Sequence, residues 1–253
     1  MKGRFGFSGK GGEFFSLLLV QMILTCITIG IYYPWAIVKI EKFMMDNLTL
    51  DGKKFEFKGE GGALFSLLLV QGLLTVITLG IYYAWAMVKI AKYFMENTEY
   101  DGEAFDFEGE GASFFSLLFI QGLLSVITFG IYSPWAIVKI YRYIAENSLY
   151  KSKNFKFEGD GAQLFSLLFI QGLLTMITLG IYGAWAAMKI YSYLCGELSY
   201  DGNTFAFDGE GAEYFSLILK GSILTAITLG IYAAWYEMEL TTYLAGHASI
   251  GEA

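Results

Sequence analysis

Few side chains in this sequence combine a reactive type with a telling position. Lys220 stands in a helical run that is apolar at the equivalent position of four earlier copies, Val20, Val70, Ile120 and Ile170. Glu237 and Glu239 follow it, at positions held elsewhere by apolar residues and by lysine. Gly230 lies between them, ten residues after Lys220 and nine before Glu239. In a helical hairpin those two positions share one depth. A charge in apolar surroundings needs a partner or a task, so the spacing predicts an intramembrane ion pair of Lys220 with Glu239 or Glu237. A second pattern is a column of amides, Gln21, Gln71, Gln121 and Gln171, with Thr25 and Thr28 on the same helical stripe. A column of ammonium groups, Lys39, Lys89, Lys139 and Lys189, sits on the helix after it. Side chains so aligned either hydrogen-bond neighbouring helices or line a polar path for ions.

The other candidates do not assemble into a reaction centre. A single histidine, His247, supports no Ser/His/Asp set. Cys26 and Cys195 lie in separate apolar contexts without metal-ligand spacing. The Gly9-x-Gly11 pair lacks the longer phosphate-loop pattern and reads as a tight strand-to-helix turn. No cofactor, metal or catalytic residue is expected, and the chain reads as non-enzymatic. A net charge of −7 without a basic run argues against nucleic acid.

The elements that carry these columns come from a gapless period of fifty. Phe5, Phe55, Phe105, Phe155 and Phe205 form one column, and Gly30, Tyr32 and Trp35 recur at the same step. The chain is one repeat domain with units 1–50, 51–100, 101–150, 151–200 and 201–253. Each unit holds a polar strand segment with Asp51-Gly52 at a hairpin turn, replaced by Lys151-Ser152 in the fourth copy. An apolar run follows, then a glycine, then an amphipathic helix. The uncharged stretch from Phe14 to Val38 exceeds the roughly 20 residues of a membrane span. With 55% hydrophobic and only 16% charged residues, composition points the same way. Folding back at Gly30 would place all polar segments on one side, though each arm of about 16 residues reaches only roughly 24 Å. The competing reading is a soluble helical stack with a greasy core.

The expected fold class is therefore membrane α-helical with small β-hairpins: five repeats, each a β-hairpin half plus a two-helix membrane hairpin. The chain starts and ends half-way through a polar hairpin, with MKGRFGF first and ASIGEA last. Pairing of those halves would close a pseudo-five-fold ring; without it the array is open. Lysine and arginine avoid the hairpin tips, which predicts a cytoplasmic sheet side. There is no charged start followed by an apolar core of the kind a cleavable signal has.

One segment is specific enough to name a family. Leu73 to Gly109 contains Leu74-Thr75-Val76-Ile77-Thr78-Leu79-Gly80-Ile81-Tyr82, Trp85, Tyr93, Glu96-Asn97-Thr98 and Phe105-x-Phe107-x-Gly109. It resembles the YjgN-like family of bacterial inner-membrane proteins of unknown function, and all five units share the pattern. The resemblance implies an inner-membrane location and no known activity, cofactor or catalytic residue. The expected role is a scaffold or accessory subunit of a membrane complex, in contact with lipid bilayer and with other membrane subunits; the alternative is a channel or transporter.

Overall fold

The computed structural model describes residues 1–251; the end of the expected closing strand, residues 252–253, lies outside them. The first unit runs β1 (Gly3–Phe7), α1 (Gly11–Ile27), α2 (Tyr33–Asn47), β2 (Leu48–Leu50), and the second opens with β3 (Lys53–Phe57) and α3 (Gly61–Ile77). The order repeats to α9 (Gly211–Ile227), α10 (Ala233–Gly246) and β10 (Ala248–Ile250).

The strands make one closed antiparallel barrel of ten, each paired with its neighbours in sequence, and the ring shuts where Gly3 and Arg4 of β1 pair with Ile250 and Ser249 of β10. Tight turns join β2 to β3. Asp51 and Gly52 both have positive φ, 51° and 74°, the backbone of a turn that matches strand twist. Lys151 and Ser152 adopt the same conformation at 47° and 60°, although neither residue favours it.

Strand alternation sends the phenylalanine column inward. Phe5, Phe55, Phe105, Phe155 and Phe205 form a closed circuit in which each ring centroid lies 6.3 Å from the next. Leu50, Tyr100, Tyr150, Tyr200 and Ile250 make a second buried layer against them. Tyr150 and Tyr200 donate their hydroxyls to the carbonyls of Tyr100 and Tyr150 at 2.8 and 2.7 Å. Burial pushes the pKa of these phenols above the ordinary value, and protonated they donate. The lumen is thus filled by side chains. The outer wall is polar, with Lys54, Glu56 and Lys58 exposed on β3 and just after it.

This architecture corrects the expected fold class. The strand segments are not small separate hairpins beneath a membrane α-helical body; they form one continuous barrel. Among the described residues no helix is long and apolar enough to cross a membrane. The uncharged stretch is interrupted at its centre: α1 is 17 residues and α2 is 15, so the longer reaches about 25 Å. The break is local. Ile29 and Gly30 take φ of 51° and 85°, while Gly30 donates its backbone N–H to Thr25 at 2.8 Å. A hydropathy count sees unbroken apolar sequence there and cannot see the left-handed residue.

Between repeats, each second helix packs on the first helix of the next unit, α2 on α3 and α10 on α1. Gly61 allows this approach. A Cβ there would overlap the Trp35 ring and come within 2.8 Å of its Cα.

Candidate functional site

The helical hairpins carry the two features that stand out from ordinary packing. The first is the tip. Thr28 Oγ1 donates to the Leu24 carbonyl at 2.8 Å and accepts the Tyr32 backbone N–H at 3.0 Å, tying the end of α1 to the start of α2. The residue between, Ile29, points away from both helices. It is 94% exposed, and its counterparts Leu79, Phe129, Leu179 and Leu229 are 93%, 97%, 93% and 94% exposed. All five are left-handed, with φ near 50°. A large apolar residue held in that conformation is strained, and here it is also bare. Val20, Ile23 and Ile27 extend the exposed apolar surface down α1, as do their equivalents in later units apart from Lys220.

The second feature is a belt of polar groups below the tips. Gln21 and Gln121 are buried, and Tyr32 and Tyr132 donate hydroxyls to their amide oxygens at 3.2 and 3.0 Å. Gln71 and Gln171 are equally buried, but their amide oxygens have no partner among the described residues. Lys39, Lys89, Lys139 and Lys189 are exposed, each ammonium 5.8–6.0 Å from the tyrosine ring of its own hairpin. Lys139 and Lys189 also donate to the Tyr132 and Tyr182 hydroxyls, at 3.0 and 3.1 Å. None of the four reaches a carboxylate among the described residues. The glutamines are buried and the lysines exposed, and in the third hairpin the Tyr132 hydroxyl joins the two columns, accepting from Lys139 and donating to Gln121.

The fifth hairpin departs from this. Lys220 Nζ lies 2.8 Å from the Glu239 carboxylate, and Tyr232 donates to the same carboxylate at 2.9 Å. Glu237 stays exposed and forms no ion pair among the described residues. A compensating exchange, invisible to the charge pattern, accompanies the pair. The glutamine column has Gly221 here, and the column of Ala36, Ala86, Ala136 and Ala186 has Tyr236. A Cβ on Gly221 would overlap the Tyr236 ring, so the new ring fills the space the missing amide leaves. The signal in the sequence was two opposite size changes in one unit, at positions that face each other in a hairpin.

Exposed ion pairs contribute only about 0.2–1 kcal/mol. A double-mutant cycle with Lys220→Val and Glu239→Lys should show it. Each single change leaves a lone or doubled charge; the two together restore the charge pattern of the other units, with Gly221 and Tyr236 unchanged. The pair should be at least as stable as the parent in thermal unfolding, with a coupling of about 0.5 kcal/mol or more. Strict additivity would show that the two residues do not interact.

His247 is half-buried, its Nδ1 2.8 Å from the Tyr243 carbonyl and its ring 4.3 Å from that of Tyr243. Cys26 and Cys195 are both free. Among the described residues no cluster could hold a metal ion.

Five stretches, residues 2–65, 53–115, 103–165, 152–207 and 203–253, match the family described as "Bacterial protein of unknown function (DUF898)". The chain belongs to this family. Two relatives share part of one repeat length with it. The "Inner membrane protein YjgN" of Salmonella typhimurium (strain LT2) is 51% identical over 49 residues, 19% of this chain and 12% of that protein. The protein of the same name from Escherichia coli (strain K12) is 39% identical over 51 residues, 20% of this chain and 13% of its own length. The chain thus matches about one eighth of the length of these relatives. No solved structure matches the chain.

Proposed function

We propose that the protein is a non-enzymatic scaffold or accessory subunit seated on one leaflet of the bacterial inner membrane. The crown of five tips enters the lipid, and the barrel stands in the cytoplasm. The observation that carries this reading is the strained and bare ring of Ile29, Leu79, Phe129, Leu179 and Leu229. Pseudo-five-fold symmetry puts the tips at a common height, as a planar surface requires. Exposed apolar patches of this extent on a water-facing surface are uncommon. The helices need not cross: a hairpin that enters one leaflet keeps its backbone hydrogen bonds within its helices.

Three further observations support the reading. The curated relatives carry "inner membrane protein" in their names. The lysines and arginines lie below the crown, in keeping with a cytoplasmic barrel. The aromatic filling of the lumen favours a structural role over a conducting one.

Flotation with liposomes tests the membrane part. The protein should rise with the vesicles and need detergent when they are absent. A chain that is monodisperse in plain buffer and remains at the bottom of the gradient would remove the proposal. The accessory role predicts a stoichiometric membrane partner after mild cross-linking in cells; ion flux through reconstituted protein would replace it with transport.

A further inference from the structure

The crown accounts for the apolar tips but not for four lysines held just below them. Most other lysines for which a contact is seen have carboxylate partners: Lys53 with Asp101, Lys58 with Glu99, Lys92 with Glu96, Lys153 with Asp201 and Lys220 with Glu239. Among the described residues Lys39, Lys89, Lys139 and Lys189 reach none, in a chain of net charge −7; Lys2, Lys42, Lys54 and Lys156 reach none either, but they do not form a column. The Lys39 set recurs at one position of the repeat, so its members share one height on the ring. Where the column turns acidic, at Glu239, a lysine appears opposite and neutralises it.

We infer that these four lysines bind the phosphates of anionic phospholipids, one headgroup for each of the first four hairpins. The inference rests on the single-leaflet seating proposed above. The height fits. Lys39 is nine residues beyond Gly30, which is at most about 14 Å along a helix. Half of a hydrocarbon core is about 15 Å. Tips seated a few ångströms short of the bilayer centre therefore place the lysines at the boundary of hydrocarbon and headgroups, within a side chain's reach of the phosphates. The surroundings fit as well. Each lysine rests over a tyrosine, a side chain enriched at the membrane interface. The ammonium sits over the face of the ring, and the lysine stays exposed. Charge complementarity then selects an anionic headgroup over a zwitterionic one, and the neutral Lys220–Glu239 sector has no such preference.

The test compares flotation of the full chain on vesicles of phosphatidylcholine alone and of phosphatidylcholine mixed with phosphatidylglycerol. A basic residue near an anionic surface contributes about fivefold in affinity, so the four together should favour the anionic vesicles by about several hundredfold, less at high salt. Changing all four to glutamine should bring binding to the level seen on neutral vesicles, while changing all four to arginine should keep the preference. If the glutamine variant fails to fold, single changes should each lose about fivefold. A glutamine variant that still prefers the anionic vesicles overturns the belt. So does a parent that binds both vesicles equally, and in that case the single-leaflet seating stands. A parent that floats with neither vesicle overturns the seating itself.

Discussion

Asparagine at all five tips, Ile29→Asn, Leu79→Asn, Phe129→Asn, Leu179→Asn and Leu229→Asn together, is expected to leave the ring folded and strip it from membranes. The two effects have opposite signs for one reason. The tip backbone is left-handed in every unit, with φ between 49° and 52°. Asparagine accepts that conformation more readily than isoleucine, leucine or phenylalanine, so folding should not suffer. The same side chains are more than nine-tenths exposed and contribute nothing to the core. Sinking one such side chain into hydrocarbon is worth about 1.5–3 kcal/mol. Five together are worth on the order of 10 kcal/mol, far more than vesicle binding can lose and remain measurable. The measurement is flotation beside thermal unfolding followed by circular dichroism. A variant that unfolds at the parental temperature yet floats as the parent does would show that the crown is not the membrane contact. No core substitution would produce that combination of retained fold and lost partition.

The second large effect should come from the barrel lumen. Phe55→Ala is expected to destabilise the fold by about 3–5 kcal/mol, or roughly 10 °C in melting temperature for a chain of this size. Phe55 is 5% exposed. Its ring touches both neighbouring members of the phenylalanine circuit at 6.3 Å and Tyr100 at 4.7 Å. Alanine leaves a void that the layer cannot close, because the strands on either side are locked in register with their partners. Phe55→Leu keeps much of the volume and should cost less than half as much. The check is unfolding by heat and by denaturant. Equal stability of the alanine variant would mean that the lumen is not a packed core.

Some of this was plain in the sequence. The period of fifty needs only residue identity at a fixed step. The tight turn at Asp51-Gly52 and the helix break at Gly30 are local preferences, set by residues that touch in the chain. Counting helical residues from Gly230 placed Lys220 and Glu239 at one depth, and the structure has them 2.8 Å apart. Other features were not visible. The length of the apolar stretch suggested spanning segments. Hydropathy sums side chains and measures the whole stretch; the fold-back expected at Gly30 is what leaves two helices of 17 and 15 residues, each too short to span. The polar segments could be placed on one side, but ring and open array stayed equally open, because pairing of β1 with β2, forty-odd residues apart, depends on a register that no local pattern encodes. The exchange at Gly221 and Tyr236 likewise makes sense only once the two helices are face to face.

The sequence by itself determined a five-fold unit with a polar strand pair, two helices and an apolar tip, together with the family to which those units belong. Only the tertiary structure decided that the units close into a ring, that the phenylalanines fill its lumen, and that the tips stay bare while the Lys39 column reaches no carboxylate among the described residues. The physical reason is reach: propensity and periodicity act between residues a few positions apart, whereas closure and exposure are properties of surfaces that meet, or fail to meet, only after the whole chain has folded.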